Sequence, residues 1–178
     1  MSEPTLTTKR LTLRIPSPAD APQLLKLFNQ ADFIANIRDK NIRTEAQAVS
    51  EIENVIHTHY RDNGFCLMSM DTTDDKCIGM CGLVKRPALA IPDIGFAILS
   101  AHQNKGYVTE ASRAVLAHGF NDLDLDTIAA IVNPDNMASI SVITKLGMPF
   151  IKGIQLDEGE PQVKYFELTR EAYSATQQ

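Results

Sequence analysis

The chain is short of the features that would announce a metal, a membrane or a nucleic acid. It has three cysteines, Cys66, Cys77 and Cys81, an odd number at none of the spacings of a zinc site or a disulfide framework. Cys77 and Cys81 fall in an apolar segment, where buried reduced thiols are expected. The histidines His57, His59, His102 and His118 are scattered, and the closest two, separated by two positions, do not share a helix face. No metal site is expected. Lys and Arg total 17 against 22 Asp and Glu, a formal net charge of −5. That balance excludes the basic stripe of a large nucleic-acid footprint, while leaving room for a local basic pocket. No window comes near 18 uninterrupted apolar residues, and the opening MSEPTLTTKRLTLR has no apolar signal core. A cytoplasmic protein with no membrane partner is expected. Repeats, low-complexity stretches and long linkers are also missing. One domain over residues 1–178 is the reading, large enough to bury a core unaided.

What is there is periodicity. KRLTLRI at 9–15 alternates Leu11, Leu13 and Ile15 with polar residues, predicting a strand. Ser17, Pro18 and Asp20 predict a helix start, with Leu24, Leu25, Leu27 and Phe28 on its apolar face. Thr44 with Gln47 has the form of a capping box for a helix to about residue 62, with Val49, Ile52, Val55 and Ile56 inward. Asn63-Gly64 stops it. FCLMSM, CIGMCGLVK and DIGFAILS read as three strands of an antiparallel meander. Residues 106–121 place Val108, Ala111, Ala114 and Val115 on one helical face, and DTIAAIV at 126–132 is an apolar strand of a mixed sheet. A helix over 135–146 has Met137, Ile140 and Ile143 inward, Gly147 ends it, and PFIKGIQ and VKYFEL are the last strands. Helices alternate with strands only in the second half. The pattern predicts an α+β fold: a mixed, mostly antiparallel sheet of about seven strands flanked by about four helices.

Two stretches carry chemistry. HQNKGYVTEA stands where a strand hands over to a helix. A first helical turn has N–H groups without intrahelical partners and a positive dipole end, and a glycine there lets an anion approach the backbone. Lys105 adds a full charge, so a phosphate is a plausible guest, although glycines at helix starts are also common turn chemistry. In NPDNMASISVITKLGM, Asn136 and Ser139 lie on the first turns of a helix, where they could equally be a cap and a solvated hydroxyl.

Together these stretches, with TKRLTLRIPSPADAPQLLKL at the start, resemble the GNAT superfamily of acetyl-CoA-dependent N-acetyltransferases, and within it the RimJ/RimL-like branch acting on ribosomal-protein α-amines. The resemblance spans roughly residues 7–170. It implies that Gln103, Asn104, Lys105, Gly106, Tyr107, Val108 and Thr109 cradle the pyrophosphate of acetyl-CoA, with Val108 standing where the family has a small residue. It implies too that backbone groups of Ile98 and Leu99 meet the pantetheine arm, and that Asn136 and Ser139 lie along it toward the thiol. The family's thiolate-protonating tyrosine, seven residues after that asparagine, is Ile143 here, which leaves Ser139 as the nearest substitute. Such a transfer needs a base for the amine proton and donors for the oxyanion. Asp93 is the favoured base or amine anchor. Glu110 also matches a family position, and it can equally hold the helix start or pair with Lys105. Cys77 and Cys81 have no neighbour to activate them as nucleophiles.

FIANIRDKNIRTEAQ, with Arg38, Asp39, Lys40 and Arg43, and the 152–164 loop are expected to line the acceptor side. The acceptor is read as a peptide N-terminus or a small-molecule amine, and a homodimer is possible. The competing reading is a GNAT-like module that holds acyl-CoA as a sensor or scaffold without turnover.

Overall fold

The computed structural model describes residues 3–177. Its centre is an eight-stranded sheet in the order β1-β2-β3-β4-β5-β6-β8-β7. The strands are β1 Thr5–Thr7, β2 Thr12–Arg14, β3 Leu67–Asp71, β4 Gly79–Val84, β5 Asp93–Ile98, β6 Thr127–Val132, β7 Phe150–Ile154 and β8 Val163–Thr169. All neighbours are antiparallel except β5 and β6, so the predicted meander from β3 to β5 is present. The eighth strand is β1. Residues 9–15 do not form one strand, because a turn at Thr8–Leu11 folds the chain into a hairpin. In it the Leu11 N–H donates to Thr8 Oγ1 at 3.0 Å and the Thr8 N–H to the Leu11 carbonyl at 2.9 Å.

The helices are α1 Ala21–Phe28, α2 Ala31–Asn36, α3 Glu45–Ser50, α4 His57–Asn63, α5 Tyr107–Asn121, α6 Met137–Lys145 and α7 Arg170–Thr176. The four expected ones are all here. Of the additions, α2 and α7 have six and seven residues, too short for a 3.6-residue period to stand out. Between α3 and α4 the coil widens into a π-helical stretch, Glu51–Ile56. Widening keeps Ala48, Ile52 and Ile56 in line at spacings of four, and all three are buried, whereas Val55 turns outward with 51% exposure. Met137 is the other misplaced residue: on the first turn of α6 it is 68% exposed, while Ile143 is buried.

Two layers cover the sheet. On one face α5 and α6 pack Val115, Leu116, Phe120 and Ile143 against Leu13, Ile94, Ile128 and Leu168. On the other, α1 and the α3–α4 segment pack Leu24, Leu27 and Ile52 against Cys66, Cys77 and Met80. That second face continues over β6 and β8 as a small cluster of Leu89, Ala129 and Tyr165, with no helix in it.

Candidate active site

The parallel pair β5/β6 is joined at one register point, Asp93 opposite Ala129. Antiparallel strands direct alternate residues' backbone groups at the same neighbour. Leu99 N–H donates to Ile78 O on the β4 side at 2.8 Å, and the Ala129 N–H reaches Pro92 O from the β6 side at 2.9 Å. Ile94, Phe96 and Ile98 therefore face β6, and beyond Asp93 no β6 residue pairs with them. Leu99, expected to offer its backbone, is occupied on both sides, since its carbonyl accepts from His102 N–H at 2.8 Å. Phe96, not Leu99, lies in the open edge beside Ile98. The Ile98 carbonyl accepts from Gln30 Nε2 at 3.2 Å, and Gln30 Oε1 accepts from Ser100 N–H at 2.7 Å.

After a single 3₁₀ turn, Ser100–His102, the chain enters the loop in question. Asn104 at φ 60° and Gly106 at φ 79° are both left-handed, a succession that makes a concave nest of N–H groups. Gly106 caps α5, and the first intrahelical bond runs from Glu110 N–H to Gly106 O at 3.1 Å. The N–H groups of Tyr107, Val108 and Thr109 thus have no acceptor within the helix. Val108 is half-buried and lies outside the core clusters. Lys105 and Asn104 are exposed. Gln103 instead braces the loop, its Nε2 donating to Asp32 Oδ2 at 2.7 Å.

Glu110 does not pair with Lys105. Its carboxylate accepts from Thr8 Oγ1 at 2.6 Å, Arg10 N–H at 2.8 Å and Arg10 Nε at 2.7 Å. Burial pushes its carboxyl up, but these donors outweigh it and hold the group below the usual glutamate range. That occupation leaves Glu110 as a tie between the N-terminal arm and α5 rather than a free base.

On α6, Asn136 is the N-cap: its Oδ1 accepts from Ser139 N–H at 3.1 Å and its Nδ2 donates to Ser139 Oγ at 2.8 Å. Both expected site residues are half-buried and bonded to each other. Ile143 is 1% exposed and belongs to the core, which is why a tyrosine's polar end has no counterpart there.

Asp93 is fully buried, with both carboxylate oxygens on Arg86 Nε at 2.8 and 3.1 Å. Burial pushes its carboxyl up to about 6 against the pull of Arg86. The register sets Asp93, Ala129 and Glu167 in one row across three strands, so their side chains share the helix-free part of the sheet face. Tyr165, two residues along β8, donates its hydroxyl to Glu167 Oε1 at 2.7 Å. The alternation within VKYFEL is the signal that could have paired Tyr165 with Glu167. On the expected acceptor segment, Arg43 pairs with Asp39 and Lys40 with Glu51. Among the described residues Arg38 makes no ion pair. Burial pushes the Cys77 thiol up to about 11 and those of Cys66 and Cys81 to about 12, which keeps them un-ionised near neutrality.

Among known proteins, the profile of the acetyltransferase (GNAT) domain matches residues 10–149. A Bacillus subtilis protein named YkkB is 31% identical over 157 residues, covering 84% of this chain and 88% of its own. The uncharacterized N-acetyltransferase YoaA of the same organism is 28% identical over 81% of this chain and 82% of its own. In fold, the chain is similar to RimL, a ribosomal L7/L12 α-N-protein acetyltransferase solved with coenzyme A. The TM-score is 0.81 at 16% identity, over 95% of this chain and 99% of that one. Mycobacterium smegmatis RimJ gives 0.80 at 18% identity, over 98% and 95%.

Proposed function

The chain belongs to the GNAT acetyltransferase family, and from that premise we propose that it moves an acetyl group from acetyl-CoA directly to a primary amine. The observation that carries this reading is the continuity between the open edge of β5 and the N–H-lined start of α5. An extended arm ending in a pyrophosphate needs such a path, with unpaired strand groups first and helix-terminal donors after. The residues fit that guest. A Cβ on Gly106 would stand 3.3 Å from Arg10 Nη2, at the edge of steric tolerance, and Lys105 supplies positive charge. The backbone of Phe96 and the N–H of Ile98, whose carbonyl Gln30 occupies, would hold the arm. Tyr107, Val108 and Thr109 would meet the phosphates through their N–H groups, and Asn136 and Ser139 would lie nearest the thiol.

Acetyl-CoA supplies the acetyl group as a thioester with a competent leaving group, so no acyl-enzyme is called for. The protein's part is proton handling and placement. Asp93, raised by burial, is ionised at neutral pH yet basic enough to take the amine proton through water. Ser139 Oγ accepts from Asn136 and keeps its own proton available for the sulfur. The acceptor we favour is the α-amine of a peptide, which the RimL and RimJ folds support by analogy. A small-molecule amine is the second class.

Purified protein mixed with acetyl-CoA and a panel of peptides, polyamines and aminoglycosides should release free thiol with at least one acceptor. Binding without release would leave a domain that holds acyl-CoA without turnover. Absence of acetyl-CoA binding by calorimetry would overturn both.

A further inference from the structure

Arg10 lies almost a hundred residues from the phosphate loop in sequence and against it in space. Its Nε donates to Glu110 Oε2 at 2.7 Å, its Nη1 to the Lys105 carbonyl at 2.8 Å, and its guanidinium carbon lies 4.6 Å from the centre of the Tyr107 ring. Its Nη2 is the atom a Cβ on Gly106 would approach. One planar group therefore touches Lys105, Tyr107 and Glu110, and flanks Gly106. The side chain is itself 43% exposed, so it is no core anchor.

We infer that Arg10 is the positioning residue of the acyl-donor loop: it fixes the Lys105 peptide and the Tyr107 ring so that the first-turn N–H groups of α5 converge on one anion. This rests on the donor-site reading above. The physical reason is the fork. A guanidinium can donate along two directions while stacking on a ring with its face, and the bonds to Glu110 and Lys105 O use both directions. Glu110 is in turn aimed by Thr8 Oγ1 and the Arg10 N–H, so the turn that breaks the predicted first strand holds the latch. A lysine would keep the charge and lose the geometry.

The test compares Arg10→Ala and Arg10→Lys with Arg14→Lys, which loosens a tie to Asp20 and Asp71 elsewhere in the same arm. Both Arg10 variants should raise KM for acetyl-CoA by about tenfold while KM for the amine stays unmoved, the split expected when one ligand's binding is lost selectively. Arg14→Lys should lower Tm without that split. In the free protein, exchange of the Glu110 amide, whose N–H bonds the Gly106 carbonyl across the loop's end, should quicken in both Arg10 variants and not in Arg14→Lys. Wild type that binds acetyl-CoA while both Arg10 variants keep its KM within about twofold would overturn the inference. So would unchanged exchange at the Glu110 amide, a measurement that needs no ligand. Failure of wild type to bind at all would instead sink the donor-site reading, leaving the exchange measurement to judge Arg10.

Discussion

At the scale of single residues, Asp93 is where sequence and structure meet. An aspartate opening an apolar strand stands out in the chain, but its partner Arg86 does not, because the bond between them depends on how the Arg86–Pro92 connection folds back. Burial raises the carboxyl from the ordinary 3.8 to about 6. A raised acid binds its proton more tightly in the folded state, so folding stability falls as pH rises from about 4 to about 6 and stays lower above that. The rise corresponds to on the order of 3 kcal/mol at most. Denaturant unfolding of wild type and Asp93→Asn across that window should therefore show the stability difference shifting in favour of the variant as pH rises. A difference flat with pH would show that the carboxyl is not raised. If Asp93 is also the base, the acidic limb of kcat/KM near pH 6 should vanish in Asp93→Asn along with most of the rate.

At the scale of elements, the glycine-led start of α5 was legible in the sequence, and the reason is local: glycine, lysine and a helix all declare themselves there. What was not legible is which neighbours occupy it. Glu110 read as a candidate carboxylate that could equally hold the helix start or pair with Lys105, five residues earlier. The structure gives it to Arg10, from a hairpin whose turn the alternating pattern of residues 9–15 concealed. Gly106 and Gly64 offer a controlled comparison. Both sit at left-handed φ, 79° and 78°, but a Cβ on Gly64 meets nothing within 4 Å while one on Gly106 faces Arg10. Alanine at either site should cost about 1–2 kcal/mol of stability from the backbone alone. Only Gly106→Ala should also weaken acetyl-CoA binding, and Gly106→Glu, which puts a charge of the phosphates' own sign in the cradle, should abolish it. Calorimetric titration of the three variants checks this. Equal binding by Gly64→Ala and Gly106→Ala would remove the glycine from the site.

At the scale of the whole molecule, the feature that matters is the split between β5 and β6, and no periodicity could have shown it. Each strand reads as an apolar run. That they meet once, at Asp93 and Ala129, and then part is a property of two segments more than thirty residues apart. The same split gathers the rest of the site: the open edge leads to α5 at one end, while Asp93 and Glu167 share a row at the other. It also makes the sheet unequal in its protection. Ala97 and Leu99 face β4 and are paired, whereas Phe96 and Ile98 face the opening. In the free protein, the Phe96 and Ile98 amides should exchange faster than those of Ala97 and Leu99, although the four are consecutive at and just past the C-terminal end of β5. Saturating acetyl-CoA should slow the first pair and leave the second unchanged. Because the ligand binds the folded chain alone, it should also add about 2.7 kcal/mol of stability at a hundredfold excess over Kd. Uniform exchange along β5, with or without ligand, would mean that the sheet is closed in solution and that the donor does not enter between these strands.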